Sequence, residues 1–397
     1  MELLALAWDY HQLGYAARAQ LARTPAALTE LLTGLVPGRA AEALVLSTCN
    51  RLELYALAPP SAADRLEQLL VVGCSPPPVP AQRFAGAAAV IRIFRLAAGL
   101  ESQVIGETAI LEQLQDAYRL ARRVGAGGPV MNALLQRAVR VGRRCRALAG
   151  FSPDRSVARA AVMLLGERLG GLAGRTVAVI GCGASGQQAA RALQEQAVGR
   201  LVLVNRNRAR AEALARQLGG VAYRLDEIAL AVRMSEGIIS TSWSTGYLLH
   251  PEQLSPPVTL VDLAVPPNVN PAVRALPGVT LLTLDDLPSS ASADQFPEVD
   301  ALILVEAAAF EHWRTGTAAT PTLRHLRRHI EAIGEAELAR ALRRLGTIDE
   351  RQRQVITQLV HRLVQKVLHP PSVRLRALAE HSPEAILIAR AFGVAER

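Results

Sequence analysis

The run Arg175-Thr-Val-Ala-Val-Ile180 passes directly into Gly181-Cys182-Gly183-Ala184-Ser185-Gly186, and a helical stretch through Gln196 leads to Leu201-Val-Leu-Val204. Strand, G-x-G-x-x-G turn, helix and second strand make a βαβ unit, which commits this region to a parallel sheet covered by helices. The glycines let the backbone approach a pyrophosphate at the helix N-terminus. About 20 residues on, NAD sites carry an acid for the ribose 2′-hydroxyl. Here Asn205 is followed by Arg206 and Arg208, which suits a 2′-phosphate and so NADPH over NADH. Stretches 237–241, 259–263 and 280–283 read as further strands of an open sheet. Cys182, inside the loop, reads as a small filler.

At 397 residues the chain has room for two or three domains. No long uncharged apolar window and no basic leader are seen, so a soluble, cytoplasmic protein with no membrane contact is expected. The four cysteines, Cys49, Cys74, Cys145 and Cys182, lack the paired spacing of a disulfide framework or a zinc site. The net charge is +9, with basic excess in 1–150 and 321–397 around a near-neutral middle. Two basic ends suit a polyanionic partner, although arginine is the default cation throughout. Lys366 is the single lysine and lies outside any glycine loop, which argues against a P-loop or a Schiff base.

The second informative stretch is Leu46-Ser47-Thr48-Cys49-Asn50-Arg51-Leu52-Glu53-Leu54-Tyr55. It reads as a strand end, a tight polar turn and a second strand. A partly exposed thiol beside Arg51, Thr48 and Asn50 is expected to favour the thiolate, the form that attacks carbonyls. A buried structural cysteine in a β-hairpin is the other reading.

Around these two stretches the chain opens with a strand at 3–8 and a helical segment to about 35. A Pro-rich connection at 59–80 holds one amphipathic helix, 63–71, and the run Pro76-Pro77-Pro78. Residues 85–121 read as helix broken at Gly99 and Gly106, with the second piece running 107–123. Glu107 is then either an acid at a helix N-terminus or a substrate ligand. Residues 117–146 hold eight arginines and no acid, with Arg137, Arg140 and Arg144 on one face: a solvated basic surface or a set of phosphate contacts. Helices at 299–314, 321–345 and 352–368 follow, the last stopped by Pro370-Pro371. The second carries Leu323, Leu326, Ile330, Ile333, Leu338 and Ala341 on one face, and such a tail builds a bundle or a dimer interface. The fold class is thus α/β multidomain, in three parts. They are an N-terminal α+β domain (1–150), a Rossmann-like NADP-binding domain (151–290), and a long linking helix with an all-helical C-terminal domain (291–397).

Taken in order, Ser47-Thr-Cys-Asn-Arg51, Ala97-Ala-Gly-Leu-Glu-Ser102, Ile105-Gly-Glu107, the Gly181–Gly186 loop with Asn205-Arg206, Asp262-Leu-Ala-Val-Pro266, Asp285-Asp286-Leu287 and His369-Pro-Pro-Ser-Val373 resemble the glutamyl-tRNA reductase family over nearly the whole chain. The resemblance implies that Cys49 attacks the ester joining glutamate to tRNA. The thioester would then be reduced with NADPH to glutamate-1-semialdehyde, at the start of tetrapyrrole synthesis. It implies substrate contacts at Thr48, Asn50, Arg51, Ser102, Glu107 and Gln113, with Arg51 pairing a carboxylate bidentately. It also implies a homodimer with a helical dimerisation domain, and docking of glutamate-1-semialdehyde aminomutase.

Three positions depart from the family pattern. Arg92 stands where a histidine is usual, Ala109 where a glutamine is, and Asp9-Tyr10-His11-Gln12 replaces an Asn-His-Lys-Thr signature. Arginine cannot serve as a general base at neutral pH. That leaves open a paralogue that binds tRNA or a partner with little turnover. A shikimate-type dehydrogenase would need a lysine base, and none precedes Lys366.

Overall fold

The computed structural model describes residues 1–36, 38–75, 78–288, 295–318 and 321–345, with short pieces between 349 and 391. It divides into two compact units, Met1–Ala307 and Ala308–Arg397.

The first unit begins with β1 (Glu2–Asp9), α1 (Tyr15–Leu21), α2 (Pro25–Leu35), β2 (Glu42–Ser47), β3 (Arg51–Ala58), α3 (Ala63–Leu70) and β4 (Gln82–Ala85). Helices α4 (Ala87–Ala98), α5 (Ala109–Arg123) and α6 (Pro129–Leu148) complete this part. The strands form an antiparallel sheet in the order β2-β3-β1-β4. Leu3 to Trp8 and Leu52 to Ala56 are buried without interruption, because helices α1 to α6 all pack against the sheet. Ser47 pairs with Leu52, so Thr48 to Asn50 form the connecting turn. Asp9 pairs with Arg51, which brings the end of β1 to the same place.

Next come α7 (Val157–Leu169), β5 (Thr176–Ile180), α8 (Ala184–Glu195), β6 (Arg200–Asn205), α9 (Arg208–Leu218), β7 (Val221–Arg224) and α10 (Ile228–Arg233). Strands β8 (Gly237–Ser240), β9 (Val258–Asp262) and β10 (Val279–Thr283) precede α11 (Pro297–Ala318). All six strands are parallel, in the order β10-β9-β8-β5-β6-β7. This is the Rossmann order, reversing direction between β5 and β8. Alternation along the strands separates two cores. Val177, Val179, Leu201, Leu203, Ile239 and Val261 face one cluster, whereas Ala178, Ile180, Val202, Val204, Ile238 and Leu260 face the other. Each fully buried Val, Leu or Ile contributes roughly 1.5–3 kcal/mol. Tyr15 and Cys49 pack against the first cluster, so the turn of the antiparallel sheet rests on the parallel-sheet domain.

Several expectations change. The break expected at Gly99 and Gly106 is a ten-residue connection, and the second helix starts at Ala109 instead of 107, so Glu107 precedes Thr108, the residue before α5, rather than lying in its first turn. Gly99 and Gly106 both have φ near +80°, and Gly106 N–H donates to Gly99 O at 3.0 Å, which closes the connection as a tight loop. Arg140 and Arg144 share the one carboxylate of Glu306 on α11, which neutralises a single charge of the basic face on α6 and leaves both arginines more than half exposed.

In the second unit, α12 (Pro321–Leu345) buries Leu326 and Ile330, but Ile333 is exposed. The seam continues through Gly334, where a Cβ would meet Val364 Cγ2 at 2.6 Å. The side chain of Leu323 is outside the described residues. Every described position from 352 to 368 is helical, as are Pro370 and Pro371, and the residues that follow the prolines up to 386 lie outside the described residues. Proline already has a helical φ, and only its missing N–H and its ring disturb the preceding turn. His369, Ser372 and Val373, and Pro76 and Pro77 earlier in the chain, lie outside the described residues.

Candidate active site

The C-terminal ends of β5, β8 and β9 meet at the point where strand order reverses, the place where open α/β sheets bind ligands. A cavity of about 220 Å³ opens there. Its lining brings together Thr48, Cys49 and Gln113 from the antiparallel-sheet domain with Ser185 of the glycine loop and Thr241 and Ser242 after β8. Cys49 and Ser185, 136 positions apart, thus share one hollow. A larger hollow of about 470 Å³ beside Met1, Arg39 and Arg65 has no cysteine and no residue of the glycine loop in its lining.

Asn50 N–H donates to Thr48 Oγ1 at 3.2 Å and Thr48 N–H to Arg51 O at 2.9 Å, which fixes the turn around the sulfur. Asn50 is buried, and its Oδ1 finds no hydrogen-bond partner among the described residues. An orphaned buried acceptor beside a cavity is a position a ligand donor would satisfy.

The electrostatics overturn the thiolate expectation. Burial pushes the Cys49 thiol up to about 11 and Glu107 adds to the rise, against the weaker pull of Arg18 and Arg51. Arg51 is the neighbour in sequence, but its charge goes elsewhere. Nη1 pairs with Glu53 Oε1 at 2.8 Å and Nη2 donates to Glu101 O at 2.5 Å. A bidentate contact from Arg51 to a substrate carboxylate would displace those partners. Burial also raises Glu107, opposed by Ser102, Arg51 and Arg146. Ser102, Glu107, Asn50 and Arg51 therefore form a buried layer behind the turn, while Thr48, Cys49 and Gln113 reach the cavity.

The glycine loop is built to admit a dinucleotide. Gly181 has φ +99° and lies against Ser242 N, and a Cβ on Gly186 would sit 1.8 Å from Gly181 O. Gly183 instead faces open space, leaving room for a pyrophosphate at the start of α8. Asn205 Oδ1 accepts from Cys182 N–H at 3.2 Å and its Nδ2 donates to Asn207 O at 3.0 Å, tying the loop to the end of β6. Ala184 opens α8. Cys182 is fully buried, and burial pushes its thiol up to about 11, as befits core packing. Arg206 is exposed with no ion-pair partner among the described residues, whereas Arg208 pairs with Glu212 at 2.7 Å. Such an exposed pair is worth little and is easily exchanged for a phosphate.

Arg92 lies buried on α4 and joins three acids. Nη2 meets Asp9 Oδ2 and Glu53 Oε1, each at 2.7 Å, and Nη1 meets Glu101 Oε2 at 2.6 Å. It occupies the space behind the turn as a structural cation, not as a base. His11 is surface-exposed, with Nδ1 3.3 Å from Asp9 Oδ1.

Comparison with known proteins now decides the family. Residues 6–148 match the model for "Glutamyl-tRNAGlu reductase, N-terminal domain". Residues 163–289 match "Shikimate / quinate 5-dehydrogenase", and 298–393 match "Glutamyl-tRNAGlu reductase, dimerisation domain". Over 405 residues the chain is 34% identical to the glutamyl-tRNA reductase of Salinispora tropica, covering 96% of this chain and 88% of that one. The chain belongs to the glutamyl-tRNA reductase family. The reductase of Myxococcus xanthus is 33% identical over 398 residues, covering 95% of this chain and 90% of that one. A solved glutamyl-tRNA reductase from Methanopyrus kandleri is 26% identical and covers 99% of each chain, with a TM-score of 0.46. The family's three-part architecture, with a Rossmann-like middle and a helical C-terminal region, is therefore that of this chain.

Several site residues carried no signal in the sequence. Thr241 and Ser242 follow an ordinary short strand. Asp262, by contrast, opens the signature Asp262-Leu-Ala-Val-Pro266, and its carboxylate accepts N–H bonds from Ala264, Asn268 and Val269 at 2.8–3.2 Å, holding the segment that lines the cavity at Leu263, Ala264 and Val265. Arg18 and Tyr15 lie on a helix that reads as amphipathic packing.

Proposed function

We propose that the chain is an NADPH-dependent oxidoreductase that converts glutamyl-tRNA into glutamate-1-semialdehyde. The single observation that supports this most is that Cys49 and the glycine loop line one cavity. The sulfur attacks the ester carbonyl, the carbon–oxygen bond to the tRNA ribose breaks, and the thiol proton ends on the departing hydroxyl. With the resting thiol protonated, a base must take that proton first. Glu107 is the carboxylate whose charge bears most on the sulfur, and its raised pKa suits it to the task. NADPH, when bound, supplies a hydride for the thioester carbonyl. Cys49 then leaves as the thiolate and regains a proton, and the aldehyde is released. Gly181, Gly183 and Gly186 with Ser185 hold the phosphates, Asn205 fixes the loop, and Arg206 with Arg208 faces the 2′-phosphate. Thr48, Asn50, Arg51, Ser102, Glu107 and Gln113 orient the glutamyl group.

Domain limits of 1–150, 151–290 and 291–397 go with this reading. So do a cytoplasmic location, transfer of the aldehyde to glutamate-1-semialdehyde aminomutase and a homodimer. Leu359, Leu363 and Val367, at i, i+4 and i+8, are each at least half exposed, a stripe that a second copy would cover. Among the described residues no helix is long and apolar enough to cross a membrane.

The test is direct. Purified protein with glutamyl-tRNA and NADPH yields free tRNA, NADP⁺ and aldehyde in equal amounts; tRNA bound but never discharged would overturn the reading. Arg206→Ala weakens NADPH binding by about 10-fold or more in a titration while NADH binding changes less than twofold, since the lost contact is to the 2′-phosphate alone. Equal losses for both cofactors would remove the phosphate assignment.

A further inference from the structure

Helix α1 begins at Tyr15 after Gly14, which offers no side-chain cap. The cap comes from the other domain. Tyr15 N–H donates to Asp285 Oδ2 at 2.7 Å, and Asp285 follows β10, 270 residues along the chain. The other carboxylate oxygen of Asp285 accepts from Arg18 Nη2 at 2.8 Å. Arg18 is 3% exposed, and its remaining nitrogens are also engaged: Nη1 donates to Leu13 O at 2.6 Å and Nε to Cys49 O at 3.3 Å. Two neighbouring contacts run in parallel. Tyr15 Oη donates to Ala264 O and Gln103 Nε2 to Leu284 O, both at 2.5 Å. The ends of β9 and β10 are thus joined to the antiparallel-sheet domain at the site itself. Among the described residues, Arg18 is the side chain in this seam that bonds both to the nucleotide-binding domain and to the nucleophile's own backbone.

We infer that Arg18 is a positioning residue that, through Asp285 on one side and the Cys49 carbonyl on the other, sets the acylated sulfur against the nucleotide-binding domain for reduction. The inference rests on the proposed reductase reaction but makes a narrower claim. Discharge of tRNA needs the turn around Cys49 with Glu107 and the residues that orient the glutamyl group, all within the antiparallel-sheet domain. Reduction needs the turn and the cofactor-binding loop in register across the cleft, and near-attack geometry tolerates little error. Asp285 is 44% exposed and touches neither the turn nor the glycine loop, so its removal loosens the register without altering either.

Two half-reactions separate these roles. In single turnover without NADPH, Asp285→Ala discharges tRNA from glutamyl-tRNA within about twofold of the parent rate, and its NADPH affinity is likewise unchanged. When NADPH is added to the acylated protein, oxidation of the cofactor slows by about 10-fold or more. Asp285→Glu, which keeps a carboxylate for Arg18, recovers part of that loss, and Arg18→Lys, which cannot serve all three acceptors, slows both steps. Equal slowing of discharge and reduction by Asp285→Ala would make the contact merely structural, and no effect on either would make it idle; both overturn the inference. Amide hydrogen exchange reads the same link without substrate. Asp285→Ala accelerates exchange at residues 15–19 and at 48–51 together, and unchanged rates at 48–51 would sink the coupling even if the parent protein discharged no tRNA, a result that would separately count against the reductase reading.

Discussion

Cys49→Ser removes aldehyde formation, by about 10³-fold or more, and leaves NADPH affinity within twofold of the parent. The serine hydroxyl sits in the same turn, yet it is a poorer nucleophile than the thiol, and the ester it would form is a poorer hydride acceptor than a thioester. Cofactor affinity is spared because the sulfur belongs to the turn between β2 and β3 and takes no part in the glycine loop. The same residue carries a pH signature. Burial pushes its thiol up to about 11, so the protonated form prevails at neutral pH. Alkylation of Cys49 by iodoacetamide should rise about tenfold per pH unit between pH 7 and 9, following the thiolate fraction. Cys145 and Cys182 are buried and stay unlabelled, whereas half-exposed Cys74 competes and must be resolved by peptide mapping. A rate that is flat from pH 7 to 9 would mean that the thiolate already exists at rest. Retained aldehyde formation in Cys49→Ser would end the nucleophile assignment.

That thiol shows where reading the sequence reaches its limit. The turn itself was legible: an apolar run, three small polar residues and renewed alternation specify β2, the turn and β3 by local rules. The field at the sulfur was not. Arg51 is two residues away in sequence, but pleating sends its side chain to Glu53, its i+2 neighbour on the same face, and to Glu101 O. The medium around the sulfur comes from the core beneath the parallel sheet, more than a hundred residues downstream.

The same distinction separates the strands. β5 and β6 are apolar runs that need both faces covered, and they announce themselves. β4 and β7 are four-residue edge strands of alternating or exposed character, held by pairing with β1 and β6 rather than by their own propensity. Arg18 was illegible for a related reason: its partners lie 31 and 267 residues away, and no local pattern marks a helix residue for such contacts. The glycine loop, in contrast, was readable residue by residue, since Gly186 must clear a carbonyl and Gly183 must leave space.

Arg92→Leu destabilises the protein by about 3–5 kcal/mol at pH 7, a large share of the 5–15 kcal/mol typical of a folded domain. Arg92 is 6% exposed and bonded to Asp9 and Glu53, both fully buried, as well as to Glu101. Burial alone would push Glu53 up, but Arg92, Arg51 and their hydrogen bonds hold it below the usual carboxylate range. Asp9 behaves likewise: burial acts upward, and the His11 hydrogen bond with the charge of Arg92 brings it well down. Depressed carboxylates give stability that is present above their unfolded pKa near 4 and lost as pH falls through the folded values. Removing Arg92 reverses the sign for Glu53. Burial then outweighs Arg51 and the hydrogen bond from Tyr55 Oη, the folded pKa rises above the unfolded one, and the cost is full at neutral pH and fades as the carboxyl takes up a proton. Chemical denaturation at pH 7 and pH 5 should therefore show the gap between parent and variant narrowing at the lower pH. A gap under 1 kcal/mol at pH 7, or one equal at both pH values, would mean that the cation at position 92 does not hold these acids in their charged state. The expected result makes Arg92 the counter-ion on which the floor of the Cys49 turn depends, because Asp9 pairs in register with Arg51 and Glu53 lies two residues further along β3.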